Sequence, residues 1–183
     1  MWVWAASDTA ESSAVSPGSK TTYSVMVSDS NTCMRSDSFA LTVFSLPIVT
    51  VTGGDTICFG DSLILAASGA ATYLWNSGAT TASIVSFPPN NSIYTVVGTD
   101  SNGCASADTA YAIVNSPPAI SISGPNSICE GNSAQFMASG GTQYTWSTGA
   151  TGSSLLVSPL AGTYTYIVTV TNNEGCTNNA SIG

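Results

Sequence analysis

Apolar and polar residues alternate with a step of two through much of the chain, the pattern of strands buried on one face. Tyr94, Val96 and Gly98 alternate with Thr95, Val97 and Thr99. The same arrangement recurs at Tyr23, Val25 and Val27 and at Tyr166, Val168 and Val170. Leu63, Leu65 and Ala67 mark another strand face, matched by Ala134, Phe136 and Ala138, while Tyr73 shares a face with Trp75 and Tyr144 with Trp146. No sustained 3.6-residue pattern is present, so no helix is predicted. Turn signals interrupt the strands at Gly53-Gly54-Asp55, Gly60-Asp61, Asn76-Ser77-Gly78, Pro88-Pro89-Asn90-Asn91 and Asp100-Ser101-Asn102-Gly103. Short strands at this spacing predict an all-β fold of β-sandwich type.

The strand pattern is itself periodic. Trp4, Trp75 and Trp146 stand 71 residues apart, as do Cys33 and Cys104, and Cys58 and Cys129; Cys104 and Cys176 are 72 apart. A period of this length implies a tandem array of one structural unit. Proline-marked joints at Leu46-Pro47 and Ser116-Pro117-Pro118 divide the 183 residues into three expected segments. Residues 1–46 are the C-terminal half of a truncated unit, 47–117 a complete unit, and 118–183 a unit truncated in its last strand. Proline at a joint stiffens a short linker and keeps one sheet from running into the next. The opening Met-Trp-Val-Trp-Ala-Ala lacks the basic region and apolar length of a signal peptide. Trp4 instead falls in register with the other tryptophans, so any export signal is expected upstream.

The most specific motif surrounds tryptophan. Tyr73-Leu74-Trp75-Asn76-Ser77-Gly78-Ala79-Thr80 matches Tyr144-Thr145-Trp146-Ser147-Thr148-Gly149-Ala150-Thr151. Ile57-Cys58-Phe59-Gly60-Asp61-Ser62 matches Ile128-Cys129-Glu130-Gly131-Asn132-Ser133, and these two units later carry Asn-Gly-Cys and Glu-Gly-Cys. As a set these motifs resemble the Ig-like and PKD-like repeats of large Bacteroidetes-type secreted and cell-surface, adhesin-like proteins. The resemblance covers essentially the whole chain. It implies tandem immunoglobulin-like or PKD-like β-sandwiches serving as stalks, spacers or adhesive modules. Tyr94 lies ten residues before Cys104. In antibody-type domains the corner tyrosine lies two residues before the second cysteine, so the antibody core disulfide is not expected.

Composition narrows the partners. Charged residues make up 7% of the chain, net charge is −8, histidine is absent, and Lys20 and Arg35 are the only basic residues. Two basic side chains cannot neutralise a phosphate backbone, so nucleic acid is excluded, as is attraction to an anionic membrane. Mean hydropathy is +0.25, yet no apolar run approaches the roughly 18 residues of a membrane span, and no membrane insertion is expected.

Five cysteines without a histidine or a Cys-x2-Cys knuckle disfavour zinc and favour disulfides formed in an oxidising compartment. The simpler connectivity is within units, Cys58 with Cys104 and Cys129 with Cys176, leaving Cys33 unpaired because its partner lies in the missing half-unit. The rival connectivity crosses the joints, Cys33 with Cys58 and Cys104 with Cys129, leaving Cys176 alone. The first is preferred because a unit that folds independently closes its own bridge. Such a loop contributes about 4 kcal/mol in the chain-entropy model.

Asp100-Ser101-Asn102-Gly103 resembles the start of a calcium loop, but an EF-hand's distant bidentate Glu is absent. A turn in which Asp bonds its own backbone is favoured, with no cofactor expected and calcium kept as the alternative. Asp55 and Asp61 flank Cys58, but their partners Asn126 and Asn132 retain the acceptor oxygen without the charge, which suits turns and not acid–base work. Tyr73, Trp75, Tyr144 and Trp146 offer a sugar-stacking platform if exposed; an inward strand tryptophan is more often a core plug. Trp4, Trp75, Trp146, Tyr23, Tyr94 and Tyr166 are therefore expected as core motif. No nucleophile–base pair or Gly-x-Ser-x-Gly elbow is present, so no catalytic residue is expected. Asp8-Thr9-Ala10, Asp55-Thr56-Ile57, Asp61-Ser62-Leu63 and Asp108-Thr109-Ala110 match an Asp-Ser/Thr-apolar O-glycosylation pattern of the resembled bacteria.

The expectation is a non-catalytic extracellular or cell-surface segment, structural and adhesive, with surface glycans or proteins as partners. The alternative is an accessory glycan-binding module of a secreted carbohydrate-active enzyme.

Overall fold

A computed structural model describes residues 2–4 and 12–183. The Asp8-Thr9-Ala10 motif lies outside the described residues. The chain is all-β. Its first three strands, β1 (Trp2–Trp4), β2 (Thr21–Ser28) and β3 (Met34–Leu41), form an antiparallel sheet in that order.

Seven strands follow: β4 (Thr50–Thr52), β5 (Asp55–Cys58), β6 (Leu63–Ser68), β7 (Thr72–Trp75), β8 (Ser83–Ser86), β9 (Ser92–Thr99) and β10 (Ala105–Asn115). They make two sheets, ordered β4-β6-β8 and β5-β10-β9-β7. Between them lies a core of Val49, Leu63, Leu65, Ala67, Trp75, Val96, Ala110 and Ala112. The alternation read from β6 holds: Leu63, Leu65 and Ala67 are buried while the intervening Ile64 is 63% exposed.

This strand order is that of an immunoglobulin-like sandwich. The β4-β6-β8 sheet matches the A-B-E order and β7-β9-β10 the C-F-G order. The entering chain serves both sheets. After pairing with β6 as β4, it turns at Gly53-Gly54 and runs parallel to β10 as β5, with Asp55 opposite Ala112 and Cys58 opposite Asn115. β5 therefore ends, with Cys58, at the end of the sandwich where β10 leaves it.

The arrangement repeats in β11 (Ser121–Ser123), β12 (Ala134–Ser139), β13 (Gln143–Trp146), β14 (Ser154–Val157), β15 (Tyr166–Thr171) and β16 (Thr177–Ile182). Here the sheets are β11-β12-β14 and β13-β15-β16, enclosing Ala134, Phe136, Ala138, Trp146, Leu155, Val168 and Val170. The register of the core strands is the same throughout. Trp4 is opposite Val25, Trp75 opposite Val96 and Trp146 opposite Val168.

The tryptophan motif has a local cause. After Trp75 the chain reverses, with the Gly78 amide donating to Trp75 O at 2.9 Å and the Trp75 amide to Ala79 O at 2.9 Å. That reversal sets Thr81 O 2.8 Å from the indole Nε1, so the buried ring keeps a partner for its one donor. Around Trp146 the same turn places Gly152 O 3.0 Å from Nε1.

Candidate functional site at the joint between the sandwiches

Two kinds of turn carry all five cysteines. In the early kind, Cys58 closes β5 and its carbonyl accepts from the Asp61 amide at 3.0 Å; Cys129 makes the equivalent bond from Asn132 at 3.1 Å. In the late kind, an Asp or Asn side chain gathers the backbone of a tight loop four residues before the cysteine. Asp29 Oδ1 accepts from Asn31 and Cys33 at 2.8 and 2.9 Å. Asp100 Oδ1 accepts from Asn102 and Cys104 at 2.8 and 2.9 Å. Asn172 Oδ1 accepts from Glu174 and Cys176 at 3.1 and 2.9 Å. In each turn the residue before cysteine has positive φ: Thr32 at 63°, Gly103 at 82° and Gly175 at 82°.

These contacts give the Asp100 loop the geometry of a backbone turn. Asn172 does the same work without a charge. Among the described residues, no group of three or more His, Cys, Asp or Glu is placed to hold a metal ion. Asp55 and Asp61 are likewise spent on backbone: Asp55 Oδ1 accepts from Thr56 at 2.7 Å and Asp61 Oδ2 from Cys58 at 3.3 Å.

The structure joins one early turn to one late turn. Cys58 is disulfide-bonded to Cys176, with Cα atoms 5.5 Å apart and a sequence separation of 118. Cys33, Cys104 and Cys129 are free thiols. This corrects the within-unit pairing of Cys58 with Cys104 and Cys129 with Cys176. The reason is the length of β10. Cys104 precedes its first residue, Ala105, and Cys58 pairs with its last, Asn115. Eleven residues of extended chain separate two points by roughly 35 Å, whereas a disulfide requires Cα atoms within about 7 Å. The cysteines of one sandwich thus sit at its opposite ends. The rival pairing of Cys104 with Cys129 is absent as well, since both lie at the ends remote from this joint. A bridge does cross the joint, but it runs from the early cysteine before it to the second cysteine after it.

The bridge is packed into its surroundings. Cys176 is fully buried, with its sulphur 3.8 Å from Asn115 O, the same carbonyl that accepts from the Phe59 amide at 2.9 Å. The Asn172 side chain, besides forming its turn, donates from Nδ2 to Ser116 O in the linker at 3.1 Å. Asn178 Nδ2 donates to Pro118 O at 3.1 Å, and Pro118 is buried. The first sandwich repeats this last contact, Ser106 Oγ donating to Pro47 O at 2.6 Å. Sequence reasoning missed the joint roles of Asn115, Asn172 and Asn178. The available signal was the fixed spacing of Asp29 to Cys33, Asp100 to Cys104 and Asn172 to Cys176.

The aromatic candidates lie elsewhere. Trp75 and Trp146 are each 2% exposed, so neither presents a face for stacking a sugar. Tyr73 and Tyr144 turn their hydroxyls back onto the bends that precede their strands, donating to Ala70 O at 3.0 Å and Gly141 O at 2.8 Å. Tyr94 and Tyr166 are half-buried against the two cores. Trp4 and Tyr23 are half-buried in the β1–β3 sheet, where Tyr23 stacks on Phe39 at 5.6 Å between ring centroids.

No protein-family model and no curated protein matches this chain. Among solved structures, it is similar to the human desmocollin-1 ectodomain, at 11% identity over 90% of this chain and 43% of that one, with a TM-score of 0.27. It is also similar to a Bacteroides ovatus protein of a mixed-linkage glucan utilization locus, SGBP-B, solved in complex with a mixed-linkage heptasaccharide. There the identity is 15% over 98% of this chain and 58% of that one, with a TM-score of 0.24. The extracellular cadherin domains 1–4 of protocadherin gamma B7 match at 13% identity, covering 90% and 57%, with a TM-score of 0.25. The chain spans about half the length of these structures. Its assignment as an immunoglobulin-like sandwich rests on its own strand order and not on these superpositions.

Proposed function

We propose that this chain is a non-catalytic extracellular segment, a stiffened stalk or spacer in a larger surface or secreted protein. On this reading its units are residues 1–46, 47–117 and 118–183, and it belongs with the Bacteroidetes-type adhesin-like repeats it resembles. The observation that carries the proposal is the Cys58–Cys176 bridge, which ties two separately cored sandwiches together across their linker. A disulfide that only stabilised a module would lie inside that module. One that crosses a joint restrains the angle between modules, which is a mechanical property of the array.

Several features support the same reading. Structural disulfides persist in oxidising, extracellular compartments. The linker Asn115-Ser116-Pro117-Pro118 is short and proline-bearing, and two of its carbonyls accept side-chain hydrogen bonds from Asn172 and Asn178. The surface is polar chiefly through Ser, Thr and Asn, with 7% charged residues, as suits a spacer exposed to a crowded exterior. Adhesion to glycans or proteins then belongs to loops or to further modules, since Trp75 and Trp146 are committed to the cores.

The test is small-angle X-ray scattering of the intact chain beside Cys58→Ser/Cys176→Ser. A stiffened joint predicts one extended shape for the oxidised chain and a broader, more flexible ensemble for the variant. Indistinguishable scattering from the two, both folded by circular dichroism, would remove the mechanical role.

A further inference from the structure

The two halves of the Cys58–Cys176 bridge stand in different surroundings. Cys176 is fully buried, its sulphur 3.8 Å from Asn115 O. Cys58 is half-buried and opens a turn whose next residues, Phe59, Gly60 and Asp61, are all exposed. Thiol–disulfide exchange is an in-line displacement, with the incoming thiolate, the sulphur it attacks and the sulphur that leaves standing in a row. Attack on Cys176 therefore has to come from the side away from Cys58, through buried structure. Attack on Cys58 comes from the opposite side, along the exposed turn. The sulphur that then leaves is Cys176, and Asn115 O already stands where it can accept the S–H of the thiol that forms.

We propose that the joint is a reversible thiol-exchange site, in which Cys58 takes up a small thiol without negative charge and Cys176 leaves and later returns. This rests on the stalk reading, in which the bridge restrains the angle between the sandwiches. A thiolate attacks Cys58 Sγ. Its new S–S bond forms as the Cys58–Cys176 bond breaks, and the electron pair passes to Cys176 Sγ, which takes a proton from solvent. In the return step Cys176, deprotonated, attacks Cys58 Sγ and expels the same thiolate, so the cycle consumes no oxidant or reductant. The bonds from Asn172 Nδ2 to Ser116 O and from Asn178 Nδ2 to Pro118 O, both 3.1 Å, do not involve the bridge. They keep the Cys176 turn at the linker, and re-closure is intramolecular. Charge selects the thiol. Asp61 Oδ2 lies 3.3 Å from the Cys58 amide, and Glu174 stands in the Cys176 turn. Both basic residues, Lys20 and Arg35, lie outside residues 47–183, so carboxylates flank the bridge without a cation to offset them and repel anionic thiols.

The experiment takes the full chain with its free thiols, Cys33, Cys104 and Cys129, first blocked by iodoacetamide. The folded protein is treated briefly with 2-mercaptoethanol and quenched in acid, new thiols are trapped with N-ethylmaleimide, and the cysteines are mapped by mass. The expected result is mixed disulfide on Cys58 and maleimide on Cys176, exceeding the reverse arrangement by about tenfold or more. With 2-mercaptoethanesulfonate, similar in size but anionic, the rate per thiolate is expected to be about threefold lower at low salt, the gap closing as salt is raised. A bridge that resists 2-mercaptoethanol, adducts shared evenly between the two cysteines or placed on Cys176, or equal rates for the two thiols would overturn the proposal. The map of the untreated chain reads the bridge itself. A chain that holds the Cys58–Cys176 bond but fails these measurements loses the exchange site and keeps the stalk reading, whereas one without that bond loses both.

Discussion

Cys58 and Cys176 meet at 5.5 Å between Cα atoms because one ends β5 at the exit of a sandwich and the other closes a turn at the entrance of the next. The bond encloses 118 residues and with them the larger part of both cores. Its chain-entropy contribution is about 5 kcal/mol, comparable to the net stability of a small domain.

Cys58→Ser is therefore expected to lower unfolding free energy by about 2–5 kcal/mol in denaturant titrations. Cys104→Ser is expected to stay within about 0.5 kcal/mol of the parent, as for a surface substitution away from special features. A within-unit bridge would make the two variants equally damaging, so equal losses would count against the joint.

Trp75→Ala and Trp146→Ala are each expected to cost about 3–5 kcal/mol through the cavity left between two sheets. Trp4→Ala is expected to cost less, since Trp4 is only half-buried. Thermal melts of the three variants check the order, and an unchanged melting temperature for Trp75→Ala would contradict its place in the core.

Asp100→Asn is expected to be nearly neutral, because Asn172 holds the equivalent turn with the same acceptor oxygen. Asp100→Ala leaves the Asn102 and Cys104 amides without that acceptor and is expected to cost about 1 kcal/mol. EDTA is expected to leave the melting temperature where it is. A calcium loop would respond to EDTA and would suffer from Asp100→Asn.

Gly69→Ala and Gly140→Ala are expected to destabilise by more than about 1 kcal/mol. Both glycines have positive φ, and an added Cβ would stand 1.8 Å from Ile48 O and 2.1 Å from Ala119 O. Denaturant midpoints near that of the parent would show that these close approaches can relax.

Much of the fold was legible because period-two alternation and a 71-residue step both report burial directly. Leu63, Leu65 and Ala67 face inward as their spacing requires, and Trp75 and Trp146 occupy equivalent places. The disulfide was not legible in the same way. Spacing shows that Cys58 and Cys104 belong to one unit, but not that the intervening strands carry them to its opposite ends. That fact depends on β5 running parallel to β10 and ending beside Asn115, a long-range pairing with no local signature. The preference for a self-contained module then selected the wrong partners. The turn residues fared better, since an Asp or Asn four residues before cysteine makes local bonds that its neighbours' identities determine.

Single-molecule stretching of the chain from its two ends tests the joint most directly. With Cys58 bonded to Cys176, the chain between them, a sequence separation of 118, cannot extend, and force passes through the bridge around both sandwiches. Adding a reductant under load is predicted to release one step of about 400 Å, from 118 residues at roughly 3.4 Å each. Two separate steps of about 160 Å each, from bridges closing Cys58 to Cys104 and Cys129 to Cys176, or full extension before any reductant is added, would contradict it.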